Sequence, residues 1–321
     1  MVFLAYMKRL KNDRKQFSSR CIGLVDPHPD SVKAGKIAAR VLKEISDMAQ
    51  PNEKLIRLCV HAEKKIVEYG GKPAFPLNVC INNIAAHRTS PHSDPSTIPE
   101  FGLVKLDVGV HVNGHIADTA LTVDIDGSLE GFVGATEDAL EEALEVLRPG
   151  SSLGDLGKRI EKVIKAYGLR PIRNLNGHSI TRFNLHAGKK VPNVSMRGTP
   201  KAEVGEYFAI EPFATSGSGK VVETDHVYIF SNVLDAEPLE GTTEKLRQYL
   251  RERYGPLPFA IRWVKTKDEK VDVLSEFRML LKHKAVSGHP MLIEKSDRPV
   301  SMSEHTVFVS EQGPIVLTKR D

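Results

Sequence analysis

Leu103-Val104-Lys105-Leu106-Asp107-Val108-Gly109-Val110-His111-Val112 places Val or Leu at every even position. That period of two describes a strand with one apolar face, and it turns Asp107 toward the other face, the one it shares with Gly109. Asn113-Gly114 follows, and both residues tolerate positive φ, so the pattern predicts a two-residue hairpin turn. If Val112 pairs with His115, Asp118 falls opposite Gly109 and Asp107 opposite Ala120. The two carboxylates then become diagonal neighbours with Cα atoms roughly 7–8 Å apart, and they repel unless cations lie between them. Strand aspartates on their own are ordinary polar residues of a wet face; the remaining motifs decide how this pair reads.

Three other stretches each hold one metal-capable side chain in an apolar or turn setting. His178 follows an Asn-Gly turn in Pro171-Ile172-Arg173-Asn174-Leu175-Asn176-Gly177-His178, Glu211 sits in the apolar run Phe208-Ala209-Ile210-Glu211-Pro212-Phe213-Ala214, and Glu304 opens a β pattern in Ser303-Glu304-His305-Thr306. Two Asp, two Glu and one His make an oxygen-rich ligand set with roughly four negative charges, suited to two divalent cations about 3.5–4 Å apart. His87 ends the apolar and small segment from Phe75 to Ala86, and His186 lies in Leu185-His186-Ala187-Gly188.

Around these motifs the chain reads as mixed α and β. An apolar stripe of Ile37, Val41, Leu42, Ile45 and Met48 predicts a helix capped by Asp30 or Ser31, and Pro51 begins a second helix closed by Gly70-Gly71. A second helix pair is predicted over about 134 to 147 and 153 to 167. Glu63-Lys64-Lys65-Ile66-Val67-Glu68-Tyr69-Gly70-Gly71-Lys72-Pro73 is echoed 98 residues later by Glu161-Lys162-Val163-Ile164-Lys165-Ala166-Tyr167-Gly168-Leu169-Arg170-Pro171, a period that suits duplicated half-domains better than a solenoid. Two more helices are predicted, Thr242 to Tyr254, ended by Gly255-Pro256, and about Val271 to Lys284, ended by Gly288-His289-Pro290. They form a helical insertion over about 236 to 290. Gly217-Ser218-Gly219-Lys220 lacks the spacing of a phosphate loop and reads as a flexible loop. His111 and His115 flank the hairpin turn and are read as solvated.

The 321 residues, 40% hydrophobic, can bury a large core. Residues 1 to 20 carry six cations against Asp13, so the net charge of +4 is concentrated there and the rest of the chain sums to about −1. There is no general nucleic-acid footprint. We treat residues 1–26 as a basic N-terminal extension, either a loosely packed tail or a patch for ribosomal RNA. Val2 to Met7 is too short for a secretory core and its basic cluster is on the wrong side, no stretch is long enough to span a membrane, and Cys21, Cys59 and Cys80 have no CxxC spacing. A cytoplasmic protein is expected.

With these residues in hand, the chain resembles the type II methionine aminopeptidases, particularly the archaeal form, over residues 27–321. The resemblance implies the α/β (α+β) pita-bread fold, two pseudo-symmetric halves around a central antiparallel sheet, with a helical insertion. It also implies removal of the initiator methionine from nascent chains whose second residue is small, by attack of a metal-bridging hydroxide. Asp107, Asp118, His178, Glu211 and Glu304 resemble the ligands of two divalent ions, Co, Mn, Fe or Zn. Glu211 would also move a proton, His87 and His186 would face the substrate, with imidazole able to donate to an oxyanion, and Phe75 would wall the methionine pocket. Two positions depart from the family: Met302 replaces a Gln and His289 a Tyr, both at the pocket. An ordinary His at 289 would titrate near pH 6.5, so KM should rise between about pH 7.5 and 5.5; the plainer reading of Gly288-His289-Pro290 is a loop turn. The implied partner is the N-terminal Met of a nascent polypeptide, met by a monomer with transient ribosome contact and no membrane. The alternatives are an Xaa-Pro peptidase of the same fold and a non-catalytic ribosome- or RNA-binding relative.

Overall fold

The computed structural model describes residues 25–265 and 272–320. Cys21 and nearly all of the basic extension expected over 1–26 lie outside the described residues. The described residues begin with helices α1 (Pro29–Met48) and α2 (Leu55–Glu68), then strands β1 (Lys72–Pro73), β2 (Asn78–Ile81), β3 (Ile84–Ala86), β4 (Leu103–Val112) and β5 (His115–Asp124). Helices α3 (Glu130–Val146) and α4 (Leu153–Ala166) follow, then β6 (Arg170–Pro171), β7 (Asn176–Ile180), β8 (Lys190–Pro192), β9 (Tyr207–Ile210) and β10 (Phe213–Thr215). The last run is β11 (Val221–Asn232), α5 (Gly241–Tyr254), β12 (Phe259–Ala260), α6 (Val273–Lys282), β13 (Val286–Glu294), β14 (Val300–Met302), β15 (His305–Ser310) and β16 (Gly313–Val316). All pairings between these strands are antiparallel.

The even residues of β4 do what their pattern demands. Val104, Leu106, Val108 and Val110 pack against Ile37, Val41, Leu42 and Ile45 of α1 in one apolar cluster. A second cluster joins Leu140 of α3 and Leu156, Ile160 and Ile164 of α4 to Phe208, Ile210, Val307 and Val309 of β9 and β15. Each helix pair thus covers one sheet, and the face of the hairpin that carries the odd residues of β4 and the even residues of β5 is left for chemistry.

The internal echo is structural. Both α2 and α4 have 14 residues and end at a tyrosine, then at a glycine with positive φ, 84° at Gly70 and 74° at Gly168. Tyr69 donates to Glu44 on α1 at 2.6 Å, and Tyr167 donates to Asp138 on α3 at 2.5 Å. A Lys-Pro or Arg-Pro strand follows, pairing with β4 in one half and β10 in the other.

Some boundaries differ from the sequence reading. The N-cap of α1 is His28, whose side chain accepts from the Asp30 amide, with Pro29 in the first turn. Pro51 and Asn52 form a turn, with Asn52 at φ 66°, and α2 starts only at Leu55 because Lys54 bridges to Thr97 first. Gly288-His289-Pro290 is neither a helix stop nor a loop turn. Helix α6 ends at Lys282, Lys284 takes a positive φ, and the tripeptide runs through β13, with His289 opposite Ile229 and Pro290 opposite Val227. Proline is tolerated there because Val227 sits between two register shifts of β11, where the ladder is irregular. β11 and β13 are direct neighbours at the centre of the four-stranded sheet β12-β11-β13-β3, so α5 and α6 form a helical excursion between two paired strands. Leu246, Leu250, Phe259, Phe277 and Leu280 give it an apolar cluster of its own.

Candidate metal centre

The hairpin has the register expected from its sequence: Val112 opposite His115, Gly109 opposite Asp118 and Asp107 opposite Ala120. Gly109 has to be glycine, because a Cβ there would lie 2.2 Å from Cε1 of the Phe75 ring. The aromatic ring therefore covers the strand right beside the two aspartates. His178 comes from β7, opposite Ala209 of β9. Pro212 breaks the apolar run after Ile210, and Glu211 stands in the gap between β9 and β10. Glu304 occupies the corresponding gap between β14 and β15, its amide donating to Ala120 O at 3.0 Å. His178 Nε2 is 3.7 Å from Asp118 Oδ2 and 3.6 Å from Glu211 Oε1, and ligand atoms of Asp118, His178 and Glu304 lie within 4.8 Å of one another. The structure brings the carboxylates of Asp107, Asp118, Glu211 and Glu304 to one place with this imidazole.

These groups are deeply enclosed: relative exposure is 4% for Asp118, 7% for His178 and 1% for Glu304. Burial, then repulsion from the neighbouring carboxylates, pushes Asp118, Glu211 and Glu304 well above the ordinary carboxylate range. Asp107 is pushed up too, by burial, against a lowering hydrogen bond with Asp118. Burial and then His186 pull His178 down to about 3, so its imidazole is neutral and Nε2 can face carboxylates as a ligand rather than as an ion-pair partner. Asp107 Oδ1, Asp118 Oδ1, Glu304 Oε2 and His178 Nδ1 are buried without a hydrogen-bond partner. Among the described residues no Lys or Arg forms a salt bridge with any of the four carboxylates. Buried acceptors left this way are costly unless a cation supplies the missing charge, so the donor set fits divalent metal.

The histidines expected at the substrate divide into two kinds. His186 lies open to solvent with its ring 4.3 Å from that of His178. His87, half-buried at φ 64°, turns Nδ1 to Pro290 O at 3.1 Å. A carbonyl only accepts, so Nδ1 carries the proton and Nε2 of the neutral ring carries a lone pair. His289 is 5.9 Å from His87, ring to ring, and its Nε2 meets Ser231 Oγ at 2.8 Å. Burial first, then His87 and His186, pulls its pKa down to about 4, which overturns the expectation of titration near 6.5. Phe75 is buried in a cluster with Ile116, Ile180, Ala209 and Leu257. Met302 is buried with Phe213, Val300 and Ala85.

Several supporting residues carried no signal in the sequence. Asp118 N donates to Thr306 Oγ1 and Thr306 Oγ1 donates to Asp118 O, both at 2.7 Å; Thr119 Oγ1 donates to Glu304 O and Thr122 Oγ1 to Met302 O. Lys105 shares the Asp107 face, fully enclosed. Its ammonium donates to Asn82 O and Val300 O at 2.8 Å each, and burial pulls its pKa down to about 7. His111 is buried and His115 half-buried, not solvated, because α1 and Phe183 cover the hairpin turn. The loop at Gly217-Ser218 is pinned rather than flexible: Glu294 accepts from Ser218 N, Ser218 Oγ, Ser296 N and Ser296 Oγ, which hold its carboxyl down at about 2 against burial.

Metallopeptidase family M24 matches residues 32–232. The methionine aminopeptidase of Methanothermobacter thermautotrophicus is 41% identical over 90% of this chain and 97% of its own, and that of Saccharolobus solfataricus is 41% identical over 89% and 96%. Among solved structures, a thermophilic Arx1 superposes with TM-score 0.79 at 19% identity, covering 90% of this chain and 89% of that one. The methionine aminopeptidase of Rickettsia prowazekii superposes with TM-score 0.65 at 21% identity, covering 90% and 95%. These structures show the fold. The chain belongs to metallopeptidase family M24 and, within it, to the methionine aminopeptidases.

Proposed function

We propose that the protein releases the N-terminal methionine from chains whose second residue is small, with two divalent ions held by Asp107, Asp118, His178, Glu211 and Glu304. The observation that carries this reading is the convergence of four carboxylates, those of Asp118 and Glu304 buried and those of Asp107 and Glu211 half-buried, on a neutral imidazole, with no Lys or Arg in a salt bridge to them among the described residues. Divalent ions supply Lewis-acid polarisation of the scissile carbonyl and acidify water at neutral pH. Glu211, whose carboxyl is held high in its range by burial, can take a proton and return it to the departing amine. His186, open to the cleft, is the donor for the oxygen that becomes negative. His87 offers its Nε2 lone pair to a substrate N–H instead. Phe75 forms an apolar wall for the methionine side chain, with His289 beside His87 at the same pocket.

On the same reading the substrate is a nascent polypeptide met in the cytoplasm by a monomer. The cations between Lys8 and Arg20 would serve any transient contact with the ribosome. No helix among the described residues is long and apolar enough to cross a membrane. The test is hydrolysis of Met-Ala-Ser against Xaa-Pro peptides by metal-replete protein. Release of methionine that chelator abolishes, and that Asp118→Ala reduces by several orders of magnitude, is the expected result. Xaa-Pro cleavage in its place, or an unchanged rate after chelation, overturns the reading.

A further inference from the structure

A second group of ligand-type side chains lies outside the carboxylate centre. His28 precedes the first turn of α1, Asp30 sits within that turn, and His115 follows the β4–β5 turn. One ligand atom from each of the three lies within 4.8 Å of the others. The two imidazoles stack 3.8 Å apart and nearly parallel. Both direct Nδ1 to the first turn of α1: His28 Nδ1 accepts from Asp30 N at 3.1 Å, and His115 Nδ1 meets Ser31 Oγ at 3.3 Å. Asp30 Oδ2 is 4.0 Å from His28 Nδ1 and is steadied by Asn113 Nδ2 at 3.0 Å.

We propose that His28, Asp30 and His115 form a surface metal site for one Zn²⁺-like ion, a clasp between the start of α1 and the hairpin that carries Asp107 and Asp118. A tetrahedral zinc site with bonds of 2.0–2.1 Å needs ligand atoms about 3.3 Å apart. Side chains that are exposed at His28 and half-buried at Asp30 and His115 can close that difference by rotation, and solvent completes the shell. The hydrogen bond from Asn113 holds the Asp30 carboxylate in place beside the two stacked rings. Lys33, Arg182 and the positive end of the α1 dipole oppose a hard cation held by charge alone, which selects an ion with strong bonds to imidazole nitrogen.

The test compares wild type, His28→Asn and His115→Ala after stripping with chelator and dialysis against Zn²⁺, with bound metal counted by elemental analysis. Asn keeps the capping acceptor of α1 while removing the imidazole, so His28→Asn decides the matter even if His115→Ala folds poorly. Wild type should hold one more equivalent of Zn²⁺ than His28→Asn, and Asp118→Asn should lose ions from the carboxylate centre while keeping that extra one. Equal Zn²⁺ content in wild type and His28→Asn overturns the proposal without touching the carboxylate centre. So does loss of every ion in Asp118→Asn.

Discussion

At the scale of single residues, hydrogen-bond direction separates histidines that the sequence left alike. Both His87 and His186 read as imidazoles facing a substrate, and only the neighbouring Pro290 carbonyl, 203 residues away, fixes which nitrogen of His87 bears the proton. Burial holds that ring below its ordinary pKa, so at neutral pH Nε2 is a free nucleophile. A fumagillin-type spiroepoxide should therefore alkylate His87: Nε2 attacks the epoxide carbon, the C–O bond opens, and the oxygen takes a proton from water. Peptide mapping should find the adduct on His87, and an adduct on His186 or none at saturation would contradict this tautomer. His289 yields a pH prediction of the opposite kind from its sequence. With its pKa pulled down to about 4 and Ser231 on Nε2, it stays neutral at both pH 7.5 and pH 5.5. Its contribution to KM should be flat across that range, so wild type and His289→Tyr should show parallel KM profiles. A rise confined to wild type would mean that His289 is far more solvated than its packing indicates.

At the scale of elements, legibility followed the range of the forces. The hairpin was readable to the residue because a period of two and an Asn-Gly turn are local signals. The path of β13 was not, since Gly and Pro punctuate most sequences as loop residues and only the bulge of its neighbour β11 makes Pro290 acceptable in a strand. The threonines that lock the centre together were equally silent. Thr306 bonds to Asp118 across 188 residues and Thr119 to Glu304 across 185, and nothing local marks either. Asp118 pairs with Gly109 on one side and presents its amide and carbonyl to Thr306 on the other. Thr306→Val keeps the shape and removes both bonds. Two buried backbone groups are then left without partners, at a cost of about 2 kcal/mol or more. Urea titration should show that loss, and isothermal titration should show weaker metal binding, because the main chain of Asp118 is no longer fixed to the segment that carries Glu304. Unchanged metal affinity at reduced stability would confine Thr306 to holding the sheets together.

At the scale of the molecule, duplication was legible from one eleven-residue echo because helix-end chemistry repeats with it, down to the tyrosine that ends α2 and α4 and donates to an acid on the preceding helix. How the helical excursion between β11 and β13 is fastened to the first half could not be read, since its anchor joins positions about 200 apart. Arg262 pairs with Glu63 of α2 and donates to Ser90 O at 2.9 Å, while Trp263 Nε1 donates to the second Glu63 oxygen at 2.7 Å. Both members of the ion pair are enclosed, and burial raises the Glu63 pKa even with Arg262 beside it. Arg262→Ala removes the compensation and strands the carboxylate, which should cost about 3–5 kcal/mol at neutral pH. The sign of its pH dependence follows from the raised pKa. A carboxyl whose folded value lies above its unfolded value destabilises the fold when ionised, and that penalty fades as pH falls through the folded value. Losing Arg262 raises the folded value further, so the stability deficit of Arg262→Ala relative to wild type should shrink between pH 7 and pH 5. Adding Glu63→Gln should recover part of the deficit and flatten its dependence on pH. Urea titrations of the single and double variants at both pH values check this, and a deficit equal at pH 7 and pH 5 would show that Glu63 gains water once Arg262 is gone.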